Sequence, residues 1–135
     1  MIATYLIDYC PAGNPDTYQP ELLRLSQNQD SRVRVRVAEN KNTPAAILMA
    51  LATDKDPEVR AAVSDNPNAP KEALELLACD QSEFVRYQMA ENPHLGESFI
   101  SRLTEDDNPY VACRAAKTLI AIQAILSFVP IISVA

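Results

Sequence analysis

Apolar and polar positions along this chain recur at a fixed interval of 26 residues. The pair Val33-Arg34 returns as Val59-Arg60 and Val85-Arg86, and then as Val111 followed by Ala112. The same register holds leucine or isoleucine at 22, 48, 74 and 100, leucine at 25, 51, 77 and 103, asparagine at 14, 40, 66 and 92, and aspartate at 54, 80 and 106. A period of this size is typical of stacked supersecondary units. We therefore divide a single domain, 1–135, into units at about 14–39, 40–65, 66–91 and 92–117.

Each unit is predicted to hold two short helices. In the second unit, Thr43 has the character of an N-cap with Pro44 at the first helical position, and Asp56 and Pro57 repeat that signal for the next helix. A proline follows Asn66 and ends the second helix. We also expect Asn66 at positive φ as a C-cap, a conformation that asparagine tolerates better than most residues. The apolar positions within each segment follow a helical stripe. The fold class expected is all-α, a right-handed α-solenoid of about four two-helix repeats.

The segment 118–135 departs from the repeat. Thr118 stands where asparagine is expected, so the second helix of the last unit is predicted to run on to about Phe128, and no charged residue follows Lys117. The apolar residues assigned to this hydrophobic C-terminal capping helix are Leu119, Ile122, Ile125, Leu126 and Val129. Three interpretations stay open. The segment covers the open end of the stack, contacts a second copy of the chain, or enters a membrane.

The stretch from Asn40 to Arg86 resembles the leucine-rich repeat variant family. It carries that family's order of asparagine-proline, proline, leucines, aspartate and valine-arginine, and the resemblance extends over about residues 14–117. It is also similar, more loosely, to HEAT-like repeats. The resemblance implies an α-solenoid whose units pair one α-helix with a second, shorter helix that is 3₁₀ in places. It also implies an interaction scaffold, since neither family has a single activity.

Composition narrows the classes of function. Two glycines among 135 residues disfavour phosphate-binding loops, and a net charge of −6 disfavours nucleic-acid binding. Cys10, Cys79 and Cys113 lack metal-ligand spacing and His94 is the single histidine. We therefore expect no metal or cofactor and no catalytic residues, with the cysteines buried or half-buried. The N-terminal residues lack a signal-peptide pattern, which favours a bacterial-type cytoplasm.

Two charged columns offer candidate binding residues. The arginines at 34, 60 and 86 either grip phosphates or an acidic partner, or pair with the aspartate column of a neighbouring unit. The acidic column at 39, 65 and 91 is either a solvated rim or a recognition stripe for a basic peptide. The candidate binding residues are Arg34, Arg36, Arg60, Asp65, Arg86, Tyr87 and Glu91.

The function expected from the sequence is a non-catalytic protein-protein interaction scaffold, binding an unidentified protein through the second helices. The first alternative is a structural homo-oligomer assembled through the apolar C-terminal helix. The second alternative is nucleic-acid binding by the arginine column, which predicts steeply salt-dependent binding.

Overall fold

The structure, a computed structural model, describes residues 4–128, and all regular structure within that range is helical. The helices are α1 (Leu6–Gly13), α2 (Gln19–Ser26), α3 (Ser31–Glu39), α4 (Ala45–Leu51), α5 (Pro57–Asp65), α6 (Lys71–Ala78), α7 (Glu83–Glu91), α8 (Glu97–Leu103) and α9 (Pro109–Phe128), with a 3₁₀ turn at Pro93–Leu95. The prediction of an all-α protein is confirmed for the described residues.

The helices form two files. α1, α3, α5, α7 and α9 pack one on the next, and each of α2, α4, α6 and α8 packs against the member of this file that follows it in the chain. We call the first set the second-helix file. α1 occupies the place of a second helix ahead of α2, a role that the repeat boundaries did not predict. The implied short, partly 3₁₀ second helix is wrong: α3, α5 and α7 are α-helices of 9 residues, longer than their partners.

Proline and aspartate set the helix starts, with one difference from prediction. The Asp56 carboxylate accepts a hydrogen bond from the Glu58 amide and Pro57 opens α5, as expected. The first helix of that unit instead begins at Ala45, so Pro44 is the cap residue. Thr43 does not cap it, because its buried hydroxyl donates to the Val37 carbonyl at 2.7 Å.

The asparagine column ends the second helices without positive φ. Asn66 has φ −79° and ψ 127°, and among the described residues only Gly96 has positive φ. The expectation of a left-handed C-cap is therefore wrong. The physical reason is that the Asn66 side chain bonds to the preceding unit, which an extended backbone allows.

The periodic columns form the core. Val33, Val59, Val85 and Val111 are buried, as are Leu22, Leu48, Ile100, Leu25, Leu51, Leu77 and Leu103, whereas Leu74 is half-buried. Each such side chain stabilises the fold by roughly 1.5–3 kcal/mol relative to exposure. Stacking of neighbouring units therefore supplies the core that one unit lacks.

The last helix extends beyond the stack. α9 runs to Phe128 as predicted and packs against α7 and α8, and Leu119 and Ile122 lie partly buried against the core. Ile125 and Leu126 are exposed among the described residues, so of the three interpretations of this segment their exposure does not support a cap over the end of the stack. The predicted cap residue Val129 lies outside the described residues.

α9 is long and apolar enough, by length and composition alone, to cross a membrane, and 17% of its most apolar window is buried.

Candidate binding surface

The arginine column forms a ladder of ion pairs within the chain. Nε of Arg34, Arg60 and Arg86 lies 2.7 Å from Oδ2 of Asp54, Asp80 and Asp106 respectively. In each pair an NH2 group also donates to the second carboxylate oxygen, at 3.0, 2.9 and 3.2 Å. The guanidinium of one unit therefore grips the aspartate of the next in a bidentate manner.

Each rung of this ladder is completed by the backbone. NH1 of Arg60 donates to the Asp54 carbonyl at 2.8 Å, and the Asp80 carboxylate accepts from the Ser82 amide at 2.8 Å. Burial acts to raise the pKa of Asp80, but the hydrogen bonds from Arg60 and Ser82 outweigh it and hold that pKa below its usual value. The pKa values of Asp54 and Asp106 are lowered by the same balance.

The ladder changes chemistry at its first rung. Asp8 of α1 stands in the arginine column and Asn28 stands in the aspartate column. The Asn28 amide donates to Asp8 Oδ2 at 2.7 Å, so acceptor and donor have exchanged places. The exposed Arg24 neutralises Asp8 at 2.8 Å.

This geometry places three of the predicted binding residues inside the stack and not on an exposed face. Arg34 and Arg60 are buried and Arg86 is half-buried, and all three point their donors at carboxylates and carbonyls of this chain. Their assignment to a partner-binding face does not follow from the structure, because the donors are already used. A phosphate-binding arginine ladder likewise has no geometric support.

The asparagine column forms a second ladder between units. Asn66 Nδ2 donates to the Ala38 carbonyl at 2.7 Å and to the Asn40 carbonyl at 2.8 Å. Asn40 makes the equivalent bonds to Ala12 and Asn14. This ladder breaks at Asn92, whose amide donates instead to Asp65 Oδ1 at 3.1 Å. The predicted capping role is thus extended by hydrogen bonds between units that the sequence analysis missed.

The acidic column is partly neutralised. Glu91 lies 3.3 Å from Arg114 Nε, and Glu39 lies 2.8 Å from NH1 of the predicted binding residue Arg36. Partial desolvation raises the pKa of Asp65, and the charges of Glu91 and Glu39 raise it further. Asp65 and Glu91 line a depression of about 710 Å³ at the ends of α5 and α7.

An aromatic surface lies across α7 and α9. Phe84 and Tyr110 are exposed and Tyr87 is half-buried, and together with Glu83, Asn108 and Val111 they line a cleft of about 260 Å³. We call this the aromatic cleft. Sequence analysis identified only Tyr87 of this group. Phe84 and Tyr110 lie one period apart, a signal that the search for charged columns passed over.

The remaining candidate chemistry is sparse. Cys10, Cys79 and Cys113 are free and exposed, so the expectation that they are buried is wrong. None of the three belongs to the buried periodic columns. Among residues 4–128, no group of three histidine, cysteine or acidic side chains is arranged to hold a metal ion.

Comparison with known proteins supports the repeat assignment. No curated protein and no solved structure gives a significant match to the chain. The leucine rich repeat variant family matches residues 57–82, which include α5, its loop and α6. That is a helical repeat family whose members are typically non-catalytic interaction scaffolds. The resemblance inferred from the sequence is therefore confirmed over residues 57–82, which match the leucine rich repeat variant family, and the described residues 4–128 form only helices.

Proposed function

We propose that this chain is a non-catalytic protein-interaction scaffold that binds a partner through the exposed side of the second-helix file. The observation that carries the proposal is the exposure of Phe84 and Tyr110 beside Tyr87, while the arginine column is turned inward. Aromatic side chains are the commonest anchors of protein interfaces.

Two finer features belong to this proposal. The stack is a right-handed solenoid of about four units, supported by the recurrence of the helix pairs at the sequence period. The chain works in a bacterial-type cytoplasm, supported by its three free thiols, since reducing compartments keep cysteines unpaired.

The proposal is tested by capture with matched variants. Wild-type protein, the double variant Phe84→Ala/Tyr110→Ala and the control Tyr18→Ala are immobilised and exposed to a bacterial cytoplasmic lysate. Tyr18 is a suitable control because it is exposed and lies ahead of α2, outside the second-helix file. We expect that at least one lysate protein binds to the wild-type protein and to Tyr18→Ala but does not bind to the double variant.

The captured protein is then purified and titrated calorimetrically. A one-to-one complex weakened at least tenfold by the double substitution supports the scaffold. Equal retention by all three forms contradicts binding through this surface.

A second candidate function is self-association through α9. The observation that favours it is the run of exposed apolar side chains at Ile120, Ile125, Leu126 and Phe128. Exposed apolar patches of this kind mark interfaces. Light scattering on wild type and on Ile125→Gln/Leu126→Gln gives the test, with the exposed Leu23→Gln as control. A dimer that becomes monomeric only in the α9 variant supports this candidate, and a wild-type monomer excludes it.

A further inference from the structure

Two clefts occupy equivalent places on the second-helix file. The aromatic cleft lies between α7 and α9, and an N-terminal cleft of about 290 Å³ lies between α1 and α3 with Glu58 at its edge. Tyr87 follows Tyr9 by three repeat intervals, and Tyr110 follows Arg32 by the same distance. The two clefts therefore differ in side chains rather than in position within the repeat.

The chain's own guanidinium groups line the N-terminal cleft and lie over its tyrosine rings. Cζ of Arg32 lies 3.6 Å from the centroid of the Tyr5 ring, and Cζ of Arg36 lies 5.2 Å from the centroid of the Tyr9 ring. Arg32 is also held by Asp30 at 2.7 Å. A guanidinium stacked on a ring and paired with a carboxylate is a favourable combination.

The aromatic cleft keeps a ring, Tyr87, at the position of Tyr9 and has Glu83 at the position of Tyr5, with no cation of the described residues over its rings. Tyr110 stands where the repeat places Arg32, and Arg114, the equivalent of Arg36, is turned to Glu91. Within residues 4–128, no arginine or lysine of the chain lies over the rings of Phe84, Tyr87 or Tyr110.

The charge of the cleft is suited to a cation. Glu83 contributes a carboxylate, and its Oε2 accepts a hydrogen bond from Asn108 Nδ2 at 2.6 Å, which fixes it at the rim. The whole chain carries a net charge of −6, which attracts basic partners. At about 260 Å³ the cleft is smaller than the roughly 300–1,000 Å³ of a typical small-molecule site, so it suits one side chain.

We propose that the aromatic cleft binds an arginine side chain of a partner protein, stacked on Tyr87 and Tyr110 and paired with Glu83. Arginine is favoured over lysine because a planar guanidinium stacks on rings and forks onto a carboxylate. This inference rests on the proposed scaffold function and names the chemistry that the scaffold recognises. The N-terminal cleft supplies the precedent, since there Arg36 of the same chain lies over Tyr9, the equivalent of Tyr87.

The test is an NMR titration of the full chain with a neutral-ended peptide. The probe is acetyl-Gly-Arg-Gly-amide, and its matched control carries citrulline, which keeps the shape of arginine without its charge. We expect the ring resonances of Tyr87 and Tyr110 to shift with the arginine peptide at millimolar concentration and to stay unchanged with the citrulline peptide.

Variants locate the binding. Tyr110→Ala and Glu83→Gln each weaken binding of the arginine peptide by about two- to fivefold, as expected for loss of an exposed stacking or charge contact. Tyr18→Ala and Glu72→Gln, at exposed positions away from the cleft, leave it unchanged. Circular dichroism of each variant checks that the substitutions at the exposed positions 83 and 110 leave the helical fold intact.

Three results would overturn the inference. These are equal binding of the citrulline peptide, shifts centred on Asp65 and Glu91 instead of the rings, and absence of shifts at millimolar peptide. Any of them leaves the scaffold proposal standing if partner capture still depends on Phe84 and Tyr110. Loss of that dependence with peptide binding intact would instead overturn the scaffold and keep the arginine site.

Discussion

Substitution Arg60→Ala removes the middle rung of the arginine-aspartate ladder. The Arg60 and Asp80 side chains are 9% and 7% exposed, and three hydrogen bonds at 2.7, 2.9 and 2.8 Å disappear together. The Asp80 carboxylate then stays buried without its cation, a change that costs about 3–5 kcal/mol. Because Asp80 keeps its bond from the Ser82 amide, we expect the lower end, about 3 kcal/mol.

The measurement is urea unfolding followed by circular dichroism, with Arg102→Ala as the control. Arg102 also pairs with a carboxylate, Glu75 at 2.5 Å, but these side chains are about half exposed. Exposed pairs contribute about 0–1 kcal/mol, so the control should lose little stability. An Arg60→Ala cost no larger than that of Arg102→Ala would refute the reasoning.

The same rung gives a pH dependence with a defined sign. The folded-state pKa of Asp80 is lowered, so its ionised form stabilises the fold above the unfolded pKa of about 3.9. That stability is lost as the pH falls through the folded-state pKa. The difference in unfolding free energy between wild type and Asp80→Ala should be full at neutral pH and should shrink in acid. A difference that grows in acid contradicts the ion pair.

Three further substitutions test other parts of the fold by the same unfolding measurement. Asn66→Ala leaves buried carbonyls without donors and should cost about 2 kcal/mol, clearly more than Asn92→Ala, and equal costs would contradict the second ladder. Leu77→Ala should lower the free energy of unfolding by about 2–5 kcal/mol, and Leu76→Ala, at the exposed neighbouring position, by about 0.5 kcal/mol or less. Comparable losses for the two variants would contradict the assignment of Leu77 to the core. Asp65→Asn should stabilise the fold slightly at neutral pH, because the raised pKa of Asp65 shows that its charged form is unfavourable in the folded state. This gain in unfolding free energy should vanish below the pKa of the unfolded state. A loss of stability at neutral pH would contradict the prediction.

Much of the fold was predictable because the same pattern of helix starts and apolar positions recurs in each repeat unit. The Asp56-Pro57 signal located the start of α5, and the columns containing Leu77 and Val59 located the core. Because the arginine and aspartate columns share one period, ion pairs between neighbouring units were one of the two interpretations that the sequence allowed for the arginines. A column of like residues is best explained by contacts between equivalent neighbours.

Other features depend on geometry between units, which spacing along the chain does not contain. The Asn66 amide could be read as a local cap, but its partners lie one unit earlier at Ala38 and Asn40. The aromatic cleft joins Tyr87 to Tyr110, which belong to different units and to different columns. α1 was not predicted as a stacked helix because it lies ahead of Asn14, where the repeat columns were taken to begin, and it carries Asp8 in place of the column's arginine.

The central claim is that the arginine column holds the stack together instead of binding a ligand. NMR measurement of the exchange rates of the arginine side-chain protons with water tests it most directly. The account predicts slowly exchanging Nε–H protons for Arg34, Arg60 and Arg86, unmoved by added inorganic phosphate or duplex DNA. The exposed Arg24 and Arg32 should exchange fast. Equal exchange at all five positions, with phosphate shifting the arginine column, would contradict the account.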